Sequence, residues 1–426
     1  MSLGASILIF FVLLFLGVPI AICLAATGLI WLSATPAIPS LIMATKIYGQ
    51  TDSFAMMAIP FFMMAGQIME QTGITGKFID FAKSLVGHIR GGVAHTAMVA
   101  GVIMAGVSGS GNADTAAIGS LMIPALKKDG YDEGFAVSVI ASAGSLGPII
   151  PPSVMMIVFA NAAGYSVGKV FMGGVIPGVL MAFGFCMLSY RYAKKHNIGG
   201  GKFGGWMNVF KVFFKTVGAL IMPAIIIVGI VTGICTATEA GVLACVYGLL
   251  YGFATKSLTL KSIMRSLTEA CVASIGPMMI ITYSSIFSYM LTRMNVSAMI
   301  GNFCAQYIHG EIAFMLFIIV VCTIAGCFID GLATMLMLLP VLTPVVTAMG
   351  IDFQHFALVY VMALLTCQIT PPVGNLIYVA AGIQKTPVNK VMKSILPFVV
   401  VMEAVILLSV FVPQIVTWLP HVIYGA

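Results

Sequence analysis

Long apolar runs alternate with short polar interruptions along this chain, which is the pattern of a protein that crosses a membrane many times. An apolar run of about 18 residues or more is long enough to span a bilayer as a helix. Several runs are longer than a single span needs. We predict helical segments at 3–35, with a break near Gly17–Pro19, and at 54–70, 94–126, 133–160, 170–190, 216–235, 240–255, 270–291, 312–346, 355–381 and 394–420.

Two of these regions contain the same polar, helix-breaking pattern, one in each half of the chain. Residues 108–153 begin SGSGNADTAAIG and end GPIIPPS, whereas residues 326–375 begin GCFIDGLATM and end ITPPVGN. Secondary transporters show such duplications when discontinuous helices bind substrate and ions near the bilayer midplane. The pattern therefore predicts a transporter. The residues that align are Asp114 with Asp330, and Pro151-Pro152 with Pro371-Pro372.

Composition agrees with a membrane class and argues against an enzyme. The chain is 60% hydrophobic and 8% charged, whereas soluble domains contain roughly 25% charged residues. There is no GxxxxGK[ST] loop and no HExxH motif, so we expect neither ATP hydrolysis nor zinc-dependent hydrolysis. The N-terminus is apolar from Leu3 without a basic region or cleavage site, so we expect the first helix to be retained.

The basic residues predict the orientation, because Lys and Arg are enriched in cytoplasmic loops. We place the N-terminus outside and treat 94–126 and 312–346 as re-entrant hairpins that return to their own side. All of the 20 basic residues except Lys46, Lys169 and Arg293 then lie in the cytoplasm. Each half makes an odd number of crossings, so the repeats are inverted and both termini are periplasmic. The predicted fold is an all-α integral membrane protein of two inverted-topology repeats, each with a re-entrant helical hairpin and a Pro-Pro-broken helix.

The predicted units are a first repeat over 1–190, a basic cytoplasmic linker over 191–215 and a second repeat over 216–426. The glycine run at 199–201 indicates a flexible connector, and binding of anionic lipid headgroups by the linker stays open as an alternative. The first repeat divides into helices at 1–75, an arm at 76–93, the hairpin at 94–126, the broken helix at 133–160 and a helix at 170–190; the second divides into 216–291, 292–311, 312–346, 355–381 and 394–420.

The hairpins and the proline pairs are where we expect the chemistry. Irregular backbone at membrane depth survives only where it lines a cavity or is buried in protein. Each proline pair removes two amide donors, which frees carbonyl groups over about 144–150 and 366–370. Such carbonyls suit a monovalent cation such as Na⁺, and nearby helix N-termini suit an anionic group. We expect one cation in each half with the substrate between them; a simple packing kink is the alternative for each proline pair.

Three acidic residues need separate interpretation. An intramembrane carboxylate is functional by default, which favours coupling roles for Asp114 and Asp330. Alternatively, each aspartate caps the second arm of its hairpin by accepting backbone N–H bonds. Glu239 lies at a further helix break, in TATEAG, and we expect it to hold that break.

Five blocks resemble the large membrane subunit of the tripartite ATP-independent periplasmic (TRAP) transporters: GHIRGGVAH, SGSGNADTAAIGSLMIPAL, GPIIPPS, TATEAG and ITPPVGN. The resemblance covers essentially the whole chain, in the order and spacing of the blocks. The resemblance implies uptake of a carboxylate-bearing solute across the bacterial inner membrane, with Na⁺ as coupling ion and no other cofactor. It implies two partners, a periplasmic substrate-binding protein and a small four-helix membrane subunit, and no nucleic acid.

The resemblance also implies an elevator mechanism, in which a transport domain with both hairpins slides against a scaffold formed by 1–75 and 216–291. Sialic acid is favoured over C4-dicarboxylates, because SGSGNADTAAIG lacks the proline that follows the glycine in dicarboxylate variants. A stand-alone ion-coupled or proton-coupled carrier that uses Asp114 and Asp330 is the alternative function. The implied residues are Ser108, Ser110, Asn112, Gly147, Ile150 and Pro152 for the first Na⁺; Gly326, Thr366, Ile369 and Pro371 for the second; and Ser153, Asn375, Asn112 and Asp330 for the substrate.

Overall fold

The computed structural model describes residues 1–35, 39, 41–371 and 374–425. These residues form helices and no strand, which confirms the predicted all-α class. A short 3₁₀ turn, Phe54–Met57, precedes the fourth helix. The helices of the first half are α1 Leu3–Phe15, α2 Ile20–Ser33, α3 Leu41–Thr51, α4 Ala58–Gln71, α5 Ile74–Val86, α6 Gly92–Ser108, α7 Gly111–Lys128, α8 Glu133–Gly144, α9 Val154–Ala163 and α10 Val167–Lys195.

The later part of the second half repeats the order of long and short helices found in the later part of the first half and then adds one short helix, whereas the three helices that open the second half are longer than those that open the chain. Pro413 separates the last two helices, so the apolar run predicted at 394–420 is interrupted there. The helices are α11 Trp206–Val231, α12 Ala237–Ala254, α13 Leu260–Arg293, α14 Val296–Tyr307, α15 Glu311–Gly326, α16 Gly331–Ala348, α17 Phe353–Thr366, α18 Asn375–Gln384, α19 Val388–Phe411 and α20 Gln414–Tyr424.

Six of the described helices are long and apolar enough to cross a membrane individually. The pair α3 and 54–71, bent by 53° between its parts, would make a seventh. The other apolar runs are divided into shorter helices, because glycine and proline break the helix without lowering the hydropathy of the run. The long helices are α10, α11, α12, α13, α16 and α19.

The segment predicted as a linker, 191–215, is helical at both ends. Helix α10 continues to Lys195 and α11 begins at Trp206, which leaves 196–205 as irregular chain. Arg and Lys are good helix formers, so a helix continues beyond the end of its apolar run. Hydropathy alone marks the end of the run rather than the end of the helix.

The broken helices lie at the centre of the molecule. Every residue of α8 after Glu133 is buried, and so is every residue of α17 after Phe353. Helix α8 packs against α6, α7, α18 and α19, and α17 packs against α15, α16 and α19. The Phe135 ring stacks on Tyr192 at 3.6 Å and lies 5.6 Å from Phe398, so side chains from both halves form one core.

A peripheral group, consisting of α2, α4, α11, α12 and α13, packs on one side of this centre. Helix α4 contacts α12 and α13, and α2 contacts α13. The group contacts the centre through α4 with α6, through α11 with α6 and α10, and through α13 with α16. Large apolar side chains on its outer surface, such as Phe214, Leu250 and Val272, are exposed, which suits a face turned towards lipid.

Candidate cation and substrate site

The tip of the first hairpin is a two-residue turn that presses against the first proline pair. Helix α6 ends at Ser108, and Gly109 adopts the left-handed conformation with φ +59°. A Cβ at Gly109 would lie 2.5 Å from the carbonyl oxygen of Pro152. Only glycine fits this turn, because both the backbone conformation and the contact exclude a side chain. The Val154 N–H donates to the Gly109 carbonyl at 3.4 Å.

The same turn orients a buried carboxylate. The Ser108 hydroxyl donates to Asp114 Oδ1 at 2.6 Å, and the Ser110 N–H donates to Ser108 Oγ at 3.0 Å. Asp114 is fully buried. Among the described residues, nothing donates a hydrogen bond to its second oxygen, Oδ2. Asp114 therefore takes its one bond from a hydroxyl, and the capping alternative for this residue has no matching bond to a helix N–H.

Asp114 Oδ2 faces the irregular backbone that follows α8. A Cβ at Gly147 would lie 2.5 Å from this oxygen. No N–H of the described chain donates to the carbonyls of Gly147 or Ile150. The Thr115 hydroxyl, which lies against Gly144, also has no described partner. A buried polar atom without a partner costs about 1–3 kcal/mol. This group of oxygen atoms is suited to a bound cation.

The second hairpin differs at its tip. Asp330 is the N-cap of α16, and its Oδ2 accepts the Leu332 N–H at 3.0 Å. The Thr334 hydroxyl donates to the Asp330 carbonyl at 3.1 Å. The two aspartates that align in sequence therefore have different local roles, since the described cap bond is made by Asp330 and not by Asp114.

Three of the residues implied for the second cation lie close together. Gly326, the last residue of α15, packs directly against Cys367, which follows Thr366. The Thr366 carbonyl already accepts the Thr370 hydroxyl at 2.7 Å and the Ile369 N–H at 3.1 Å. It has less remaining acceptor capacity than the carbonyls of the first half. Pro371 ends the described segment, and Pro372 lies outside the described residues.

The residues implied for substrate are separated into buried and accessible positions. Ser153 is buried and caps α9, because its Oγ donates to the Pro148 carbonyl at 2.6 Å and accepts the Met156 N–H at 3.2 Å. Asn112 is exposed at the start of α7. Asn375 begins α18, and its buried Oδ1 has no described partner.

Glu239 lies away from these residues, at the start of α12. It forms a capping box with Thr236, whose N–H and hydroxyl both donate to Glu239 Oε2 at 2.8 Å. In return, the Glu239 N–H donates to Thr236 Oγ1 at 3.3 Å. The carboxylate is therefore positioned to hold the break between α11 and α12.

Comparison with known proteins decides the family. The family described as "Tripartite ATP-independent periplasmic transporter, DctM component" matches residues 7–415 of this chain. The chain belongs to this family. Its predicted resemblance to TRAP large subunits is confirmed, and the apolar helices make this TRAP subunit a multi-pass inner-membrane protein and a transporter component.

Relatives of this TRAP subunit are similar over nearly their whole length. A putative TRAP transporter large permease protein of Haemophilus influenzae is 35% identical over 94% of this chain and 95% of that protein. The sialic acid TRAP transporter large permease protein SiaM of Vibrio cholerae is 31% identical over 97% of each. The C4-dicarboxylate TRAP transporter large permease protein DctM of Vibrio cholerae is 32% identical over 97% of this chain and 96% of that protein.

A solved transporter shares the fold at low sequence identity. The YdaH transporter of Alcanivorax borkumensis is 12% identical, with a TM-score of 0.65 over 87% of each chain. This likeness concerns the fold alone. It adds to the helical architecture described above and says nothing of the solute.

Sequence reasoning missed one residue of the TRAP subunit that connects the two halves. A Cβ at Gly111, the first residue of α7, would lie 3.1 Å from Gln368 Oε1. Gln368 precedes the second proline pair, and its Oε1 has no described partner. The tip of the first hairpin therefore meets the second broken segment. The available signal was a lone amide in the apolar run ending CQITPP.

Two clefts separate the central helices of the TRAP subunit from its peripheral group. One is a narrow gap between α4, α5 and the first hairpin, lined by Gln67, Glu70, Ser108 and Ser110 among others. The other, of about 1030 Å³, lies between α3, α9, α13 and α16. Its polar lining includes Lys46, Gln50, Ser284, Ser285 and Ser288.

Proposed function

We propose that this chain is the large permease of a TRAP transporter that takes up a carboxylate-bearing solute by Na⁺ symport. A periplasmic binding protein delivers the solute, and a small four-helix membrane subunit supports the permease. The observation that supports this most strongly is the buried Asp114 carboxylate, one oxygen of which has no partner among the described residues and lies beside the first proline break.

The cation is assigned to the first broken helix. The ligands would be Asp114 Oδ2 and the carbonyls of Gly147 and Ile150, which accept no described backbone bond. Ser108 positions the carboxylate through its 2.6 Å bond to Oδ1. A bound Na⁺ would balance the buried negative charge, which is otherwise costly. The second cation is assigned to the Gly326–Thr366 region, with fewer free acceptors.

The solute is assigned to the region between the two broken helices. Asn375 Oδ1 and Gln368 Oε1 are buried acceptors without described partners, and each amide can also donate through its nitrogen. The N-terminus of α18 supplies a positive dipole end for a carboxylate. Sialic acid and C4-dicarboxylates are the two candidate classes, because the relatives named above carry both substrates in their names.

The transport step is assigned to an elevator motion. The hairpins and broken helices share one core, whereas α2, α4, α11, α12 and α13 form the peripheral group. Two clefts lie between the central helices and the peripheral group, one beside α4 and one beside α13. We expect such clefts where a central body slides against a scaffold. The matching order of helix lengths from α5 to α10 and from α14 to α19 supports the inverted repeat that such a motion uses.

The solute class is tested by uptake into proteoliposomes that contain this chain with its small subunit. Radiolabelled sialate or succinate is supplied on the outside, either bound to the binding protein or free, under an inward Na⁺ gradient. We expect one of the two solutes to accumulate only when the binding protein is present. Equal accumulation of free solute would instead support a stand-alone organic-anion carrier.

A further inference from the structure

The irregular segment 196–205 is docked against the turn between α5 and α6 rather than free. The Gly201 N–H donates to the Gly87 carbonyl at 2.9 Å, and the Gly91 N–H donates to the Gly199 carbonyl at 2.9 Å. A Cβ at Gly200 would lie 2.5 Å from the carbonyl oxygen of His88. The glycine run predicted to be flexible is therefore needed for close backbone contact, and it fixes the residues that follow.

The docked segment forms one wall of a basic cleft of about 990 Å³. The other walls are α5 and the first half of α11. Lys77 Nζ donates to the Tyr251 hydroxyl at 2.8 Å. The ion pairs found among the described residues do not involve the cleft lysines. The charged and titratable residues that line the cleft are Lys77, Lys83, Lys202, Lys215, Asp80 and His88, so positive charge is in excess.

An apolar stripe begins at the edge of this cleft. It contains Phe203, Trp206, Phe210 and Phe214, which recur every three or four residues and are 43%, 68%, 58% and 71% exposed. Phe203 lies 4.7 Å from the His88 ring and packs edge-on against Trp206 at 5.7 Å. Aromatic side chains are favoured at the boundary between headgroups and acyl chains. The stripe therefore places the cleft at headgroup level.

We propose that the cleft binds the phosphate of an anionic phospholipid, whose acyl chains lie along the Phe203–Phe214 stripe. The lysines provide the positive charge that a phosphodiester requires. The stripe supplies a surface that a soluble phosphate compound cannot cover, which is why the proposal commits to a lipid. Each lysine contributes about fivefold to the binding of an anionic lipid.

Trp206 provides a local probe for the test. The purified full chain in mixed micelles is titrated with brominated phosphatidylglycerol or brominated phosphatidylcholine, because bromine on an acyl chain quenches a tryptophan in contact with it. The quenching of Trp206 is obtained by subtracting the quenching of the Trp206→Phe variant from that of the wild-type chain. This subtraction cancels the contributions of Trp31 and Trp418. We expect phosphatidylglycerol to reach half-saturation at a mole fraction at least tenfold lower than phosphatidylcholine.

Matched variants locate the effect. Lys83→Gln combined with Lys202→Gln should raise the half-saturating mole fraction of phosphatidylglycerol about 25-fold. Lys261→Gln combined with Lys393→Gln removes the same charge from exposed positions outside the cleft and should leave it unchanged. Size-exclusion profiles of both variants establish that they are folded. Equal quenching by the two lipids, or an equal effect of the two variants, would overturn the proposal.

Two further experiments test whether soluble phosphate occupies the cleft or the small membrane subunit covers the stripe. Displacement of the quenching lipid by millimolar inorganic phosphate would indicate a site for soluble phosphate and would overturn the lipid assignment. Loss of quenching when the small membrane subunit is co-purified would show that the subunit covers the stripe, which also contradicts the proposal. Persistence of the phosphatidylglycerol preference in both arms supports it.

Discussion

Two aspartates that look equivalent in sequence have different surroundings in the fold. Asp330 caps α16 through a backbone N–H, whereas Asp114 is buried and bonded to the Ser108 hydroxyl. The difference arises because Ser108 lies at the end of α6, within reach of Asp114, while Ile324 occupies the aligned position in the second half. An alignment of the halves finds both carboxylates but does not distinguish a cation ligand from a helix cap.

This difference gives a prediction for Na⁺ binding. In the wild-type chain, Na⁺ should raise the thermal unfolding temperature relative to choline, because a ligand that binds only the folded state stabilises it. Asp114→Asn should remove most of this shift by removing the anionic ligand. The unfolding temperature is measured from the intrinsic fluorescence of the purified chain during heating, in Na⁺ and in choline.

Asp330→Ala is the matched control. It should lower stability by about 1 kcal/mol through loss of the cap and keep the shift caused by Na⁺. If Asp114→Asn retained the full Na⁺ shift, the first cation site would have to lie elsewhere.

The turn of the first hairpin gives a second prediction. Gly109→Ala should destabilise the chain by at least 1–2 kcal/mol, because a side chain at positive φ is strained and its Cβ would lie 2.5 Å from the Pro152 carbonyl oxygen. Gly276→Ala, where an added Cβ meets no atom within 4 Å, should be neutral or stabilising. Chemical or thermal unfolding compares the two, and equal effects would contradict the packing described at Gly109.

At the scale of elements, the apolar pattern located the helical regions but not their ends. The run at 94–126, predicted as a hairpin, contains a turn at Gly109–Ser110, and the run at 133–160, predicted as a broken helix, contains the irregular segment between α8 and α9; hydropathy alone marks neither break. Glycine and proline change backbone geometry while leaving the mean hydropathy high. Conversely, α10 and α11 extend into the basic segment because Lys and Arg favour helix. Docking of 196–205 depends on backbone hydrogen bonds, which composition does not reveal.

One contact between elements that the sequence did not indicate joins the end of the first hairpin to the α18–α19 corner. Glu133 accepts bonds from Lys127 at 3.0 Å and from the Thr386 hydroxyl at 3.1 Å, and Lys390 lies 3.6 Å away. The hydrogen bond from Lys127, followed by that from Thr386, lowers the pKa of Glu133 from its ordinary 4.5. Because the pKa is lower in the folded state, the ionised Glu133 stabilises the fold at pH values above its ordinary pKa. This stabilisation is lost as the pH falls.

Glu133→Gln should therefore lower the unfolding temperature at neutral pH, and the difference from wild type should shrink as pH falls below 4.5. The control is Glu269→Gln, whose partner Arg265 is on the same helix at 2.7 Å; such exposed pairs contribute about 0.3–0.5 kcal/mol. Unfolding curves at several pH values make the comparison. A pH-independent difference for Glu133→Gln would rule out the charge as its cause.

At the scale of the whole molecule, the sequence predicted the all-α membrane class and the family correctly. The apolar composition and the five blocks that resemble the family extend over most of the chain, so both inferences drew on many residues. Contacts between the halves, such as Gly111 with Gln368, depend on tertiary packing and could not be predicted from either half. The inverted repeat and the elevator motion stay proposals.

The elevator motion predicts that a cross-link between the central and peripheral groups stops transport. A Cβ at Gly106 on α6 would lie 3.3 Å from Pro223 Cβ on α11, close to disulfide geometry. The double variant Gly106→Cys and Pro223→Cys is made in a chain that lacks the nine native cysteines. Oxidation should form a disulfide between the two introduced cysteines and stop uptake, and reduction should restore uptake.

A cross-link within the peripheral group is the control for that experiment. A Cβ at Gly248 on α12 would lie 3.7 Å from Ile68 Cβ on α4, so Ile68→Cys with Gly248→Cys should also form a disulfide. Its uptake should not change on oxidation. Full uptake by the oxidised Gly106–Pro223 pair would show that α6 does not move relative to α11 during transport.

The central claim is that a Na⁺ gradient drives uptake of a solute delivered by a binding protein. The measurement that tests it most directly is the initial rate of solute uptake by proteoliposomes containing this chain and its small subunit, with the Na⁺ gradient and the loaded binding protein each present or absent. We predict uptake only when both are present, and its loss in Asp114→Asn. Uptake that persists without Na⁺ or without the binding protein would contradict the claim.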